Sequence, residues 1–472
     1  MDQITFSTKT NRIRAYIHPS FRESIDNPLK RALTICNANR IIHDMVVLPD
    51  FHYKVGNFIP TGTVTVTNPD RIIPCAVGNG SGCGYSMIKL GINKNDITPQ
   101  DIDALFREFM KHIPIMSVPG KFKKSFCLDA MNNGLDAVAS CSKNIKSKYD
   151  YQGNIFKDHE FIDVDRDYKK FMPSENYNKI FSDLEVLGGG NHFLELLKVE
   201  DIIDKDIADH LSLHKDELYI NFHSDSIGVG DISRNFTPYK TFRNLTRIKQ
   251  ELKKMAFHLK FYRHLLFYIK QDQIFSVPTQ SRASRQFLSF IFASTNYGFV
   301  NRFLICKKIM EIVTSVLKYT KNPDIFIDNL HDLISFEDGL WVHRTGATRV
   351  TPKKETKEIR YSKYGKPVII PIALGACTFI GVPGKEVANT YQSLPHGAGR
   401  RIDRSLANDL SLNHLNETLI NNGMRLYRHG LMDIAREHPS SFRDADTLRE
   451  CLEGFGLMKI IAVLKPLAVL KA

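Results

Sequence analysis

Near the end of the chain, "SLPHGAGRRIDRS" sets His396 between Pro395 and the run Gly397, Ala398, Gly399, then adds Arg400 and Arg401. Small neighbours let a bulky group approach, and arginines favour an anion. A neutral imidazole is a competent nucleophile near pH 7. Two chemistries are therefore open for His396: contact with a phosphate, or attack on one. Five further stretches share the style, each placing a His, Cys or carboxylate among glycines and small residues. They are "LPDFHYKVGNFIPTG", "AVGNGSGCGYSM", "VLGGGNHFLEL", "NFHSDSIGVG" and "HRTGATR".

Within these stretches stand Cys83, His192, His223 and His343. They do not form the close pairs of a zinc finger. Converging from several strand ends, one thiolate and three neutral imidazoles would suit a divalent transition metal, and ligand softness alone points to zinc. Taken singly, each histidine reads first as a hydrogen-bonded structural residue.

The elements that must position them are those of a large globular chain. Its 472 residues are 43% hydrophobic and 24% charged, enough for a sizeable core. The formal net charge of +13 suggests a polyanionic partner, as a steering argument only. The start has no apolar core behind a basic segment, so no secretory signal is read, and no stretch has the apolar length of a membrane span. The eight cysteines are scattered. That pattern is expected for reduced thiols in a cytoplasmic protein.

Short strand-like runs, among them "DMVVLPD", "TGTVTVTNPD", "SMIKLG", "ELYINFH", "KPVIIPIALG" and "IIAVLKPLAVLK", alternate with helix-like stretches such as "DIDALFREFMKHI". The expected class is α/β (α+β), one large domain over 1–472 with central sheets, peripheral helices and a central cleft. Residues 240–320 read as a helical, basic, insertion-like region. From Lys240 to Lys270 an apolar stripe runs from Leu245 to Ile269 beneath nine basic residues. That is a core-facing helix with a solvated back, or one that lays its basic face on an RNA backbone.

The six stretches, in this order, resemble the RtcB-type RNA ligase family of tRNA splicing and RNA repair, from about Asp44 onward. "PHGAGRRIDRSLA" resembles its histidine-nucleophile motif. "GGGNHFLE", "FHSDSIGVG" and "HRTGATR" resemble its metal and nucleotide motifs. The resemblance implies that His396 attacks the α-phosphate of GTP and becomes guanylylated, that the guanylyl group passes to an RNA 3′-phosphate, and that a 5′-hydroxyl then closes the bond. A 2′,3′-cyclic phosphate would first be opened by hydrolysis. It implies metal ligation by Cys83, His192, His223 and His343, with manganese in place of the zinc that softness suggests, and with two ions sharing the thiolate. Asn191, Glu195, Thr378, Arg400 and Lys471 would hold the nucleotide, and Asp50 would lie close to the metals. The implied substrate is broken RNA, tRNA among the candidates. An activating protein partner is compatible with the family, and a monomer is expected.

The sequence also departs from the family. Gly80 stands where an aspartate three residues before the cysteine binds one metal. Ile227 replaces an arginine, Ala373 a serine, Phe442 a tyrosine and Thr345 a lysine. Asp225, two residues past His223, adds a carboxylate as one goes missing at Gly80, so it is a candidate oxygen ligand, or only a turn residue. A homologue that binds RNA or nucleotide without joining, and a metal-dependent phosphoesterase, are the alternative functions.

Overall fold

The computed structural model describes residues 3–471 except 169–183, 231–275 and 403–411, and except shorter segments at 8–11, 22–24, 26–27, 31, 34–35, 37–41, 54–58, 79, 117, 119, 319–322, 357, 422 and 429–433. The periodic stretch from Lys240 to Lys270 lies outside the described residues.

In chain order the strands used below are β1 (Ile4–Ser7), β2 (Arg12–Ala15), β3 (Ile42–His52), β4 (Thr61–Thr67), β5 (Gly84–Asn93), β6 (Phe193–Ile202), β7 (Glu217–Ser224) and β8 (Asp324–Leu330). They continue with β9 (Asp332–Glu337), β10 (Leu340–Thr345), β11 (Ala347–Arg349), β12 (Val368–Pro371), β13 (Thr378–Pro383), β14 (Ser393–Pro395), β15 (Arg425–Arg428) and β16 (Met458–Lys471). One sheet has the order β1-β2-β3-β4-β10-β9. The other runs β8-β5-β7-β6-β16-β13-β12, with β15 also paired to β16. Most pairings are antiparallel; β2 with β3 and β15 with β16 are parallel.

β3 and β4 are buried along nearly their whole length, which needs cover on both faces. That explains why "DMVVLP" is a continuous apolar run rather than an alternating one. The β9–β10 hairpin turns on Asp338 and Gly339, both at positive φ, between the paired residues Glu337 and Leu340. Asp-Gly is the sequence expected where both central residues of a two-residue turn take that conformation.

Helix α1 (Pro99–His112) starts with a capping box: Thr98 Oγ1 accepts from the Asp101 N–H, and Asp101 accepts from the Thr98 N–H. Pro99 at the first position has no N–H to leave unsatisfied. Ile102, Leu105, Phe106 and Phe109 form its buried stripe. Helix α3 (Arg282–Leu317) packs on α1 and on α2 (Lys124–Asn133). Phe287, Leu288, Ile291 and Phe292 place α3 inside the largest apolar cluster. Among the described residues no helix is long and apolar enough to cross a membrane. None of the eight cysteines is in a disulfide.

The two sheets meet at a corner. β8 ends at Leu330 in one sheet, β9 begins at Asp332 in the other, and His331 alone lies between them. A side chain at such a corner is aimed by both sheets at once.

Candidate active site

Four neighbouring strands bring the candidate ligands to one end of the eight-stranded sheet. Cys83 directly precedes β5, His192 directly precedes β6, His223 is near the end of β7, and His331 directly follows β8. The register fixes this alignment: Gly84 pairs with both Ser224 and Leu330, and His223 pairs with both Tyr85 and Phe193.

Cys83 Sγ lies 2.9 Å from His223 Nε2 and 3.9 Å from His192 Nε2. The ligand atoms of Cys83, His192 and His223 all fall within 4.8 Å of one another, and all three residues are buried. His331 Nε2 lies 3.1 Å from His223 Nε2. The Asn191 carbonyl accepts from His223 Nδ1 at 3.4 Å, which leaves Nε2 with its lone pair toward the thiol. Burial, with His192, His331 and His396 close by, holds the His223 pKa well below the usual imidazole range. A thiol and neutral imidazoles converging in this way fit a divalent transition ion.

The structure does not bring His343 to this cluster. It sits within β10, where Nε2 accepts the Ile73 N–H at 3.0 Å and Nδ1 donates to the Thr65 carbonyl at 2.9 Å. Both ring nitrogens are spent on backbone, and burial pushes its pKa down to about 4. The corner residue His331, not singled out from the sequence, occupies the place foreseen for it. Its motif, "DNLHDLIS", has no glycine. The usable signal was a histidine between two strand-like runs.

The scaffold under the cluster is Arg302 of α3, fully buried. It donates to Asp328 from Nε at 2.6 Å and from Nη2 at 2.9 Å. Its Nη1 donates to the carbonyls of Gly82 at 2.5 Å and Ser224 at 3.2 Å, the residues beside Cys83 and His223. One guanidinium thus fixes the backbone of both ligand-bearing segments.

His396 follows β14, and its ring centroid lies 5.1 Å from that of His331. Asp50 of β3, fully buried, accepts from His396 Nδ1 at 2.6 Å and from the His396 backbone N–H at 3.1 Å. Asp50 therefore orients the imidazole, a more specific position than proximity to a metal. Arg443 donates to the carbonyls of Pro49 and Phe51, both at 2.7 Å, and clamps the backbone around it. The glycines of the motif serve the protein as well as a ligand. Gly399 has φ +75°, and a Cβ there would come within 2.4 Å of the Asp50 carbonyl oxygen.

A cavity of about 200 Å³ opens beside His396, lined by Asn191, Glu195, Ala373, Arg400, Phe442 and Lys471 among others. Glu195 is buried, accepts from Asn221 Nδ2 at 3.0 Å and from Thr378 Oγ1 at 3.3 Å, and its pKa is pushed by burial up to about 7. Lys471 of β16 is cross-strand from Phe193 of β6, beside Glu195. Arg400 lies over the Phe442 ring at 4.6 Å, with Nη1 3.6 Å from Glu437 Oε1. Its charge is thus shared with protein groups. Thr345 donates its hydroxyl to the Ala76 carbonyl at 2.9 Å, a structural bond.

Asp225 Oδ2 lies 3.8 Å from His192 Nε2, and its Oδ1 accepts from the Ile227 N–H at 2.6 Å. Ile227 has φ +48°, a conformation a β-branched residue takes at a steric cost.

A family model described as tRNA-splicing ligase RtcB matches residues 31–472. The chain is 26% identical to a tRNA-splicing ligase RtcB of Nanoarchaeum equitans, over 97% of this chain and 95% of that protein. It is 28% identical to one of Methanococcus maripaludis, over 90% and 87% of the two chains. It is 26% identical to an RNA-splicing ligase RtcB homolog 2 of Entamoeba dispar, over 90% and 80%.

Proposed function

The chain belongs to the RtcB family, and on that premise we propose that it joins an RNA 3′-phosphate, or a 2′,3′-cyclic phosphate once opened, to a 5′-hydroxyl end, using GTP and a guanylylated His396. The names of its relatives, tRNA- and RNA-splicing ligases, support RNA ligase activity. The observation that carries the covalent step is the Asp50–His396 contact at the edge of a cavity beside the Cys/His cluster. A carboxylate that accepts from Nδ1–H leaves the Nε2 lone pair for attack and offsets the positive charge that the ring gains.

On this reading Nε2 forms a bond to the α-phosphorus of GTP as the bond to the bridging oxygen breaks and pyrophosphate leaves. An oxygen of the RNA 3′-phosphate then displaces His396 from that phosphorus. The 5′-hydroxyl, losing its proton, attacks the activated 3′-phosphorus, and GMP departs. Cys83, His192, His223 and His331 would hold a divalent ion, manganese by family expectation, and such an ion offsets charge on non-bridging phosphate oxygens. Asn191, Glu195, Thr378, Arg400 and Lys471 would hold and orient the nucleotide, and the buried walls around His396 limit water access to the labile N–P bond. Broken RNA ends are the substrate class, tRNA included.

Incubation with α-labelled GTP and manganese, followed by denaturing electrophoresis, tests this. The expected result is an acid-labile labelled band, absent in His396→Ala, together with joined RNA. RNA joining by His396→Ala at the native rate would overturn the covalent step, and phosphate release without label would favour a phosphoesterase.

A further inference from the structure

We infer that Asp225 and Asp332 together supply the oxygen donors of a second cation position beside Cys83, in the space that the absent side chain of Gly80 leaves open. This rests on the reading that Cys83 is a metal ligand and adds carboxylate oxygens to the sulfur and imidazoles of that reading.

Three side chains border the Gly80 position. A Cβ built on Gly80 would stand 3.5 Å from Asp332 Oδ2, 3.6 Å from Asp225 Oδ2 and 3.3 Å from Cys83 Cβ. Each carboxylate is aimed by the same device. Asp225 Oδ1 accepts from the Ile227 N–H at 2.6 Å, and Asp332 Oδ1 accepts from the Gly346 N–H at 2.7 Å. One oxygen of each is thereby anchored to backbone, and the other is turned toward the Gly80 gap. His192 Nε2 lies 3.8 Å from Asp225 Oδ2 and 3.9 Å from Cys83 Sγ.

Space has been cleared for this arrangement. A Cβ on Gly78 would collide with Asp332 Oδ1 at 2.0 Å, so Asp332 can occupy its position only over a glycine. Asp332 is the first residue of β9, immediately after the corner at His331, so the corner that aims one imidazole at Cys83 also aims a carboxylate at Gly80. The donors are one sulfur, one nitrogen and two oxygens. Hard divalent ions such as manganese favour oxygen donors of this kind, which the set of Cys83, His192, His223 and His331 lacks.

Equilibrium dialysis of metal-free protein against MnCl2 with elemental analysis, together with low-temperature electron paramagnetic resonance, tests the site without reference to activity. The native chain should bind two ions per chain with an exchange-coupled spectrum, as expected for ions that share Cys83. Asp225→Asn/Asp332→Asn keeps an oxygen for each backbone N–H. It should hold one uncoupled ion and raise the Kd of the second at least ~10-fold. Adding Gly80→Asp to that double variant should restore the second ion, because Gly80 is outside the left-handed region and a Cβ there faces the two carboxylates at 3.5 and 3.6 Å. Two coupled ions in the double variant, or a single ion in the native chain, would overturn the inference while leaving the first set standing. No bound ion in the native chain would overturn both. Circular dichroism melting of the variants separates loss of the ion from loss of the fold.

Discussion

His331 and His343 are both buried, yet the corner between the sheets and the interior of the six-stranded sheet use the imidazole in opposite ways. In β10 the neighbouring strand and the Ile73 segment present a carbonyl and an N–H to the two ring nitrogens of His343. At the corner the chain is leaving one sheet for another, and His331 Nε2 meets His223. The difference teaches that glycine framing does not separate a ligand from a structural histidine. What separates them is whether both ring nitrogens are spent on backbone, as in His343, or one faces another imidazole, as in His331.

The largest effect that could sharpen this contrast is expected at the scaffold. Arg302→Leu should cost about 3–5 kcal/mol, since it strands the buried Asp328 carboxylate. It should weaken metal binding as well, because the Gly82 and Ser224 carbonyls lose their anchor. Urea unfolding measures the first and MnCl2 titration the second.

Glu195 gives a pH-dependent effect. Its carboxyl lies at about 7 in the folded chain against an ordinary 4.5, so the folded state binds the proton more tightly. Stability should therefore fall as pH rises from about 4.5 to about 7 and be level above that. The drop is about 3 kcal/mol. Glu195→Gln should flatten that slope in urea denaturation between pH 5 and 8, and an unaltered slope would put its origin elsewhere.

The test that could break the comparison is a pair of substitutions. His343→Leu should cost about 1–3 kcal/mol by leaving a buried N–H and carbonyl unmatched, with manganese affinity unchanged. His331→Leu should lower manganese affinity at least ~10-fold while the metal-free protein melts near the native temperature. Reversal of these two phenotypes would exchange the roles assigned above. The smallest effect, a control remote from both histidines, is Thr98→Ala. It should cost about 1 kcal/mol through the lost cap of α1 and leave metal binding and adduct formation intact.

Much of the frame was legible in the sequence. The runs around Val46, Val64, Met87, Ile220 and Ile369 read as buried strands and are so, and "DIDALFREFMKHI" is α1. β6 escaped notice because Glu195, Lys198 and Glu200 interrupt its apolar pattern, and Glu195 faces a cavity that only the folded chain possesses. Cys83, His192 and His223 could be singled out because tight glycine turns end or begin their strands. His331 and Asp332 could not, since the change of sheet that gives them their direction is a tertiary event with no local punctuation. The hold of Asp50 on His396 joins residues far apart in the chain, and no spacing rule reaches that distance.

The corner at His331 has a mechanical consequence. A metal bound there would add a rivet to a seam that one residue of chain and the hydrogen bond from the Gly82 N–H to the Asp332 carbonyl already cross, so its departure would loosen the seam between the sheets rather than either sheet alone. The site would then double as a fastener, and an enzyme emptied of its ion would breathe along β8 and β9 in concert.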